Sequence, residues 1–273
     1  MVQAGKQTSR RLDEIKPARH EGPWAVVLGE GEAGRLGSRA RLRAAVDGIG
    51  RFIPPERTLV VGLPDPARDE AGQVGEGPGP HVLDQPDDRG TGAAVLLAAL
   101  WIEARAPRAT MVFLPVDRVI EEEGEGMARV AEMADFVERR PEWMILLGIQ
   151  PRESDMGRDW IEPGQRVGWT GPSLVYGVRR IHERPSHGGA EALLARGCLR
   201  NTFVWAARPG VVLAAGREGV PRLYEHMIRL PTFWASEHER WALHRAYALA
   251  PTVNFSRAIL GTCSLPLAVL KAP

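Results

Sequence analysis

Apolar residues along this chain fall in short runs, separated by polar and glycine-rich stretches. The first is Trp24-Ala-Val-Val-Leu28, which runs directly into glycine. Five consecutive apolar residues of this kind suit a strand buried on both faces. Thr58-Leu-Val-Val-Gly62, His81-Val-Leu-Asp84, Thr110-Met-Val-Phe-Leu114 and the segment 143–149 have the same character and are predicted strands. Between them, the patterns predict an Arg-rich helix over 34–48, a mostly apolar helix over 91–105 and a third helix over 127–139. Residues 64–80 are dense in Gly, Pro and acids and predict a surface loop. Beyond Gln150 the pattern loosens, with short strands expected at 173–180 and 202–207 and helices at 190–196 and 217–227. Residues 1–23 read as a mobile leader with a short helix near 10–15, so one domain is expected over 24–273.

Strands alternating with helices at this spacing predict an α/β fold, a mixed, mostly parallel sheet with helices on both faces. Sheets of this kind bind ligands at the carboxyl ends of their strands, which directs attention to the loops after Leu28, Asp84 and Leu114. Composition narrows the classes. In 273 residues, 44% are hydrophobic, enough for a substantial core. Lys+Arg is 35 against Asp+Glu 34, so no net field points to nucleic acid or an anionic membrane. The longest apolar stretch, 93–102, is too short to span a bilayer, and residues 1–21 carry no signal-peptide core. Two cysteines, Cys198 and Cys263, form neither a disulfide framework nor a metal knuckle. A cytoplasmic protein is expected. Lysine occurs only at Lys6, Lys16 and Lys271, so the body of the domain depends on arginine for positive charge.

The first candidate for chemistry is Gly29-Glu-Gly-Glu-Ala-Gly34-Arg35, after a strand and before a helix. Glycines there let backbone N–H groups approach phosphates, and the helix start adds partial positive charge. Arg35 could pair phosphate oxygens in a bidentate way. The spacing matches neither the Rossmann nor the Walker pattern, and an ordinary Gly-rich turn explains it equally well. An Asp117 after a strand is in itself more often a cap or turn former than a ligand. The seven histidines, His182 and His187 included, show no metal-ligand spacing, and Trp101, Trp143 and Trp241 read as core.

Several segments resemble, in order, the signatures of the mannose-1-phosphate guanylyltransferases among the sugar-phosphate nucleotidyltransferases. Val26-Val-Leu-Gly29 through Arg35-Leu36 resembles L-A-G-G-x-G-T-R-L. Gln85-Pro-Asp-Asp-Arg89-Gly-Thr91-Gly-Ala93 resembles E-P-x-x-R-N-T-A-P-A, and Leu114-Pro-Val-Asp117 resembles L-P-A-D. Gly157-Arg-Asp-Trp-Ile-Glu162-Pro-Gly164 is similar to T-G-Y-G-Y-I-E-P-G, and Glu183-Arg184-Pro185 to E-K-P. Asn201-Thr202-Phe203 resembles the start of N-S-G in W-N-S-G-x-F, and Ala250 to Ser256 a late A-P-x-x-x-x-S.

The resemblance implies a Rossmann-like nucleotide-diphospho-sugar transferase fold, with a nucleotide-binding half at 24–150 and a sugar-phosphate half at 151–273. By the same resemblance Gly29, Gly31 and Arg35 would cradle a triphosphate, and Gln85, Arg89 and Thr91 would lie near base and ribose. Asp117 would hold Mg²⁺, with Arg35 and Asp117 the catalytic pair. Gly157, Glu162 and Asn201 would contact the sugar, and Glu183 and Arg184 its phosphate side. The implied reaction joins a nucleoside triphosphate, GTP, to a sugar 1-phosphate, mannose 1-phosphate, with release of pyrophosphate.

Departures cluster at that chemistry. Glu30 puts an anion against the triphosphate, worth roughly 1 kcal/mol at about 4 Å in water and about 4 at intermediate dielectric. The family's P-K dipeptide is absent, and its second lysine is Arg184, a planar fork rather than a compact ammonium. The G-W-S-D-x-G segment with the second metal aspartate does not occur before Pro273. The alternative is a catalytically degenerate nucleotide-sugar-binding or regulatory paralogue, as a homo-oligomer or beside an active partner.

Overall fold

The computed structural model describes residues 22–28, 39–63, 79–116, 125–152, 158–261 and 264–272. These build one nine-stranded sheet: β1 (Trp24–Leu28), β2 (Thr58–Gly62), β3 (His81–Asp84), β4 (Met111–Pro115), β5 (Met144–Ile149), β6 (Trp160–Thr170), β7 (Ser173–His182), β8 (Leu199–Ala207) and β9 (Leu267–Lys271). Their order is β3-β2-β1-β4-β8-β5-β9-β7-β6, with β8 also touching β6. The sheet is mixed. Parallel pairing runs through β3-β2-β1-β4 and joins β5 to β9, while every pairing of β6, β7 and β8 is antiparallel. Because β8 lies between β4 and β5, the two halves of the sequence share one sheet.

Period-two alternation on the central strands sorts side chains into two layers. Trp24, Val26, Leu59, Val61, Met111, Phe113, Met144 and Leu146 face one layer. Ala25, Val27, Val60, Val112, Leu114, Ile145 and Leu147 face the other. The first is covered by α2 (Gly90–Glu103), α5 (Pro209–Gly219), α6 (Pro221–Met227) and α7 (Glu239–Leu249). The second is covered by α1 (Arg39–Gly50) and α3 (Glu125–Arg139). Helix α2 is apolar all round and buried from Gly92 to Ile102, as its position inside the larger layer requires. A shorter helix, α4 (His187–Ala195), follows β7.

Strands expected before Gln150 lie within a residue of their predicted positions. The later half differs in instructive ways. The helix expected over 217–227 is two helices. Pro221 cannot donate the N–H that would continue α5, and it drives Val220 to φ −139°, ψ 57°. Pro163 and Gly164, which on their own read as a turn, lie within the eleven-residue strand β6. Register shifts between Glu162 and Pro163 and between Pro163 and Arg166 let the ladder absorb them. Trp101 is core, Trp143 is half-buried, and Trp241 is not core: it is 63% exposed. Helix α7 is amphipathic and buries Ala242, Ala246 and Tyr247, leaving Trp241 on the outer face. No helix among the described residues is long and apolar enough to cross a membrane.

Candidate functional site

Tertiary contacts bring distant segments together beyond the carboxyl end of β3. The turn after it, 85–89, precedes α2 and is stapled to the chain at 247–255. Val253 donates its N–H to the Arg89 carbonyl at 3.0 Å, and its own carbonyl accepts from Gly92 N at 2.9 Å. The Arg89 guanidinium donates Nε–H to the Tyr247 carbonyl at 2.9 Å and pairs with Asp87 at 2.9 Å. The Thr91 hydroxyl accepts from Phe255 N at 2.9 Å. This approach is close enough to dictate residue type. A Cβ on Gly90, which sits at φ +74°, would fall 2.4 Å from the Val253 oxygen, and one on Gly92 2.9 Å from the Val253 side chain. Phe113, Trp205 and Phe255 stack at 3.8 and 4.9 Å, holding the late segment onto β4 and β8.

The opposite wall comes from β6, β7 and β8. Phe113 pairs with Trp205, so the carboxyl end of β4 lies beside the Phe203 end of β8. Asn201 accepts the Phe203 N–H at 2.9 Å through its side-chain oxygen and donates its own N–H to the Asp159 carbonyl at 2.9 Å. Asp159 Oδ1 accepts from Arg184 N at 3.0 Å. Burial pushes the Asp159 carboxyl above its ordinary range, against the Arg184 hydrogen bond that favours the anion.

Between these walls is a cleft of about 910 Å³ lined by Asp88, Gly90, Thr91, Arg158, Asp159, Glu183, Arg184, Phe203, Thr252, Val253, Asn254 and Arg257. Three arginines and three carboxylates line it, so its field is mixed. Glu183 Oε2 accepts from Arg257 Nε at 3.1 Å, an ion pair between β7's trailing loop and the late segment. Asp88 Oδ1 accepts from Gly90 N at 2.8 Å.

Of the residues expected from sequence, Thr91, Glu183 and Arg184 line this one cleft although they come from separate parts of the chain. Arg89 and Asn201 stand directly behind lining residues. Gln85 points inward instead: it is 4% exposed and its amide oxygen accepts from the Tyr247 hydroxyl at 3.1 Å. Glu162 lies off the cleft lining, held by His182 Nε2 at 3.0 Å, by Arg196 and, at 3.5 Å, by Arg179. The His182 hydrogen bond, more than the arginine charges, keeps its carboxyl below the usual range. Its charge and burial together push the nearby Cys198 thiol up, burial being the larger cause. Gly29, Glu30, Gly31, Arg35, Asp117 and Gly157 lie outside the described residues. Asp88, Arg158, Asp159, Phe203, Asn254 and Arg257 were not expected as lining residues. Phe203 did carry a signal, because it stands at the glycine of the N-S-G signature. No group of three His, Cys, Asp or Glu among the described residues could hold a metal.

No protein-family model matches the sequence. Xanthan biosynthesis protein XanB of Xanthomonas campestris pv. campestris (strain B100) is 29% identical over 131 residues. That match covers 48% of this chain and 26% of XanB, so the chain spans about a quarter of the relative's length. Among solved structures, a mannose-1-phosphate geranyltransferase from Thermus thermophilus superposes with a TM-score of 0.72 at 22% identity, covering 91% of this chain and 73% of its own. A mannose-6-phosphate isomerase from Helicobacter pylori gives 0.62 at 12% identity over 92% and 97% of the two chains. A UTP-bound UGPase from Acinetobacter baumannii gives 0.52 at 11% identity over 92% and 86%. The chain has the nucleotide-diphospho-sugar transferase fold.

Proposed function

We propose that this chain transfers a nucleotidyl group from a nucleoside triphosphate, GTP, to a sugar 1-phosphate, mannose 1-phosphate. A phosphate oxygen of the sugar attacks the α-phosphorus, a new P–O bond forms, the α–β bridge breaks and pyrophosphate leaves. The observation that supports this most is convergence. Segments resembling separate signatures, around Thr91, Glu183-Arg184 and Asn254, meet at one cleft in a fold shared with nucleotide-sugar proteins. Mannose 1-phosphate is suggested by the name of the Thermus thermophilus protein.

Transfer of this kind asks the protein mainly for positioning and charge compensation. In this reading Arg158, Arg184 and Arg257 meet phosphate oxygens, assisted by Arg35, which follows β1 in the sequence. Asn201 is 2% exposed and acts from behind the lining, its side-chain oxygen fixing the Phe203 N–H at 2.9 Å. The described carboxylates of the cleft, Asp88, Asp159 and Glu183, are already hydrogen-bonded within the protein. By the resemblance, Mg²⁺ falls to Asp117, with substrate phosphates completing its shell. Bound there, the ion would offset the negative charge of the reacting phosphates.

A second reading, a non-catalytic nucleotide-sugar binder or regulator of an active partner, is favoured by a specific observation. The acceptors of Gln85, Thr91 and Glu162 are all occupied by the chain's own Tyr247, Phe255, His182 and Arg196. The deciding experiment is pyrophosphate release from GTP with mannose 1-phosphate and Mg²⁺, with ATP and other sugar phosphates as controls. Release that requires the sugar phosphate, and that Asp117→Ala abolishes, is the expected result. No release alongside tight GDP-mannose binding would leave the second reading standing and remove the first.

A further inference from the structure

Two residues of the cleft, Phe203 and Arg184, hold backbone angles that bulky side chains avoid, φ +62° and +32°. In this region Cβ crowds the following carbonyl, and glycine is the residue that adopts it freely. Such conformations persist where the surroundings over-determine them, and they concentrate at ligand sites. At Phe203 the over-determination is visible. Asn201 Oδ1 fixes its N–H at 2.9 Å, and the Thr202 hydroxyl donates to the Leu147 carbonyl at 2.8 Å while accepting from Val204 N at 3.2 Å. Asn201 and Thr202 thus build the turn, and glycine at 203 would satisfy it without strain. The position keeps its ring for another reason.

Among the described residues, core packing is not that reason. The Phe203 side chain belongs to neither hydrophobic layer and is absent from the Phe113–Trp205–Phe255 stack beside it. Half-buried, it forms part of the cleft wall, with Asp159 and Arg184 on the same wall. Directly behind it is Asn201, whose side-chain NH₂ is unpartnered among the described residues. An aromatic face that shares its wall with a carboxylate and a guanidinium suits a ligand with one apolar face, a rim of hydroxyls and an attached phosphate.

We propose that Phe203 is the platform for the sugar of a sugar phosphate. The C–H face of a hexopyranose lies on its ring, the hydroxyl rim reaches Asp159, and the phosphate is met by Arg184. This rests on the functional reading above and adds to it the residue on which the sugar rests.

The test compares Kd values for GDP-mannose and GDP, since their difference reports the sugar. Phe203→Gly and Phe203→Ala are expected to weaken GDP-mannose about tenfold while leaving GDP within about twofold, and Phe203→Tyr to keep wild-type affinity. The strain has its own signature: Phe203→Gly is expected to melt about 2–4 °C above Phe203→Ala, reversing the order usual in regular structure. Should Phe203→Ala fail to fold, Phe203→Asn, which tolerates this backbone region, takes its place. Unchanged GDP-mannose affinity in the Gly variant overturns the proposal. Equal losses for GDP and GDP-mannose overturn it too, by making Phe203 a base platform. A folded wild type that binds neither and releases no pyrophosphate sinks both the functional reading and this one. Sugar-dependent release with a Gly variant unaltered in KM for mannose 1-phosphate sinks this one alone.

Discussion

The two walls of the cleft meet the same backbone demand with opposite residue choices. On the α2 side the chain turns through φ +74° at Gly90, and the late segment presses so closely that both Gly90 and Gly92 lack room for a Cβ. On the β7–β8 side the chain turns through φ +32° and +62° with an arginine and a phenylalanine. Where glycine is used, the neighbouring polar groups are satisfied internally: Arg89 by Tyr247, Thr91 by Phe255, Gly92 by Val253. Where long side chains are kept at a conformational cost, they face the cleft. One wall is organised for packing and the other for display.

That contrast predicts substitutions of opposite effect. Gly90→Ala adds a Cβ at 2.4 Å from the Val253 carbonyl oxygen in an unfavourable backbone region. The oxygen belongs to backbone already committed to Gly92 N, so it cannot simply rotate away. A loss of about 2–4 kcal/mol is expected, visible as a fall in Tm of about 10 °C. Phe203→Gly should show no such fall. A Gly90→Ala protein as stable as wild type would show that the late segment is not docked on α2 as described, and the comparison between the walls would break.

How much of this was legible in the sequence divides along the same line. The strands at 24–28, 58–62 and 144–149 were readable because burial on both faces forces unbroken apolar runs. Strand β6 was not, because Pro163 and Gly164 are turn residues locally and only the bulged pairing with β7 accommodates them. Strand β9 is not readable because its apolar run, 267–270, is hemmed in by Pro266 and Lys271. A run that short fits a strand or a buried helical turn until its partners β5 and β7 are in place. Of the cleft lining, Thr91, Glu183 and Arg184 are the positions to which motif order points. The lining by Asp88, Arg158 and Arg257 was not, since it depends on which loops the sheet brings together. Gln85 shows the converse. Its motif position suggested a ligand contact, yet a tyrosine 162 positions away takes its amide oxygen.

That Tyr247–Gln85 bond gives the second prediction. Both groups are buried, and burial also raises the phenol's pKa, so it remains a donor throughout the ordinary pH range. Tyr247→Phe removes the donor and leaves the Gln85 oxygen buried with one partner fewer, at a cost of about 1–2 kcal/mol. Denaturant unfolding reads this directly. In the Gln85→Leu background the same change should cost much less, because no acceptor is stranded. Equal costs in both backgrounds would mean the two side chains do not interact, and the packed wall would lose one of its ties.

The smallest effects separate Glu162 from Asp159, two carboxylates at the start of the display wall whose surroundings push them in opposite directions. Glu162 is lowered, first by the His182 hydrogen bond and then by Arg196 and Arg179. A lowered carboxyl contributes stability above its unfolded pKa of about 4.3, and that contribution disappears as pH falls through the folded value. Asp159 is raised, first by burial. Its neutral form is the one the fold prefers, so its contribution is complete below an unfolded pKa of about 3.9 and is lost as pH rises through the folded value. Glu162→Gln should therefore lower Tm at pH 7, with a deficit that narrows on acidification. Asp159→Asn keeps an acceptor for Arg184 N and removes a costly charge. It should raise Tm at pH 7 by no more than about 2 °C, an advantage that fades to nothing below about pH 4. Melting curves of both variants from about pH 3.5 to about pH 7, a range that spans both unfolded values and reaches neutrality, decide the matter. If Asp159→Asn loses stability at neutral pH, its carboxylate is held as an anion. Its hydrogen bond from Arg184 N and the Arg184 charge would then outweigh its burial.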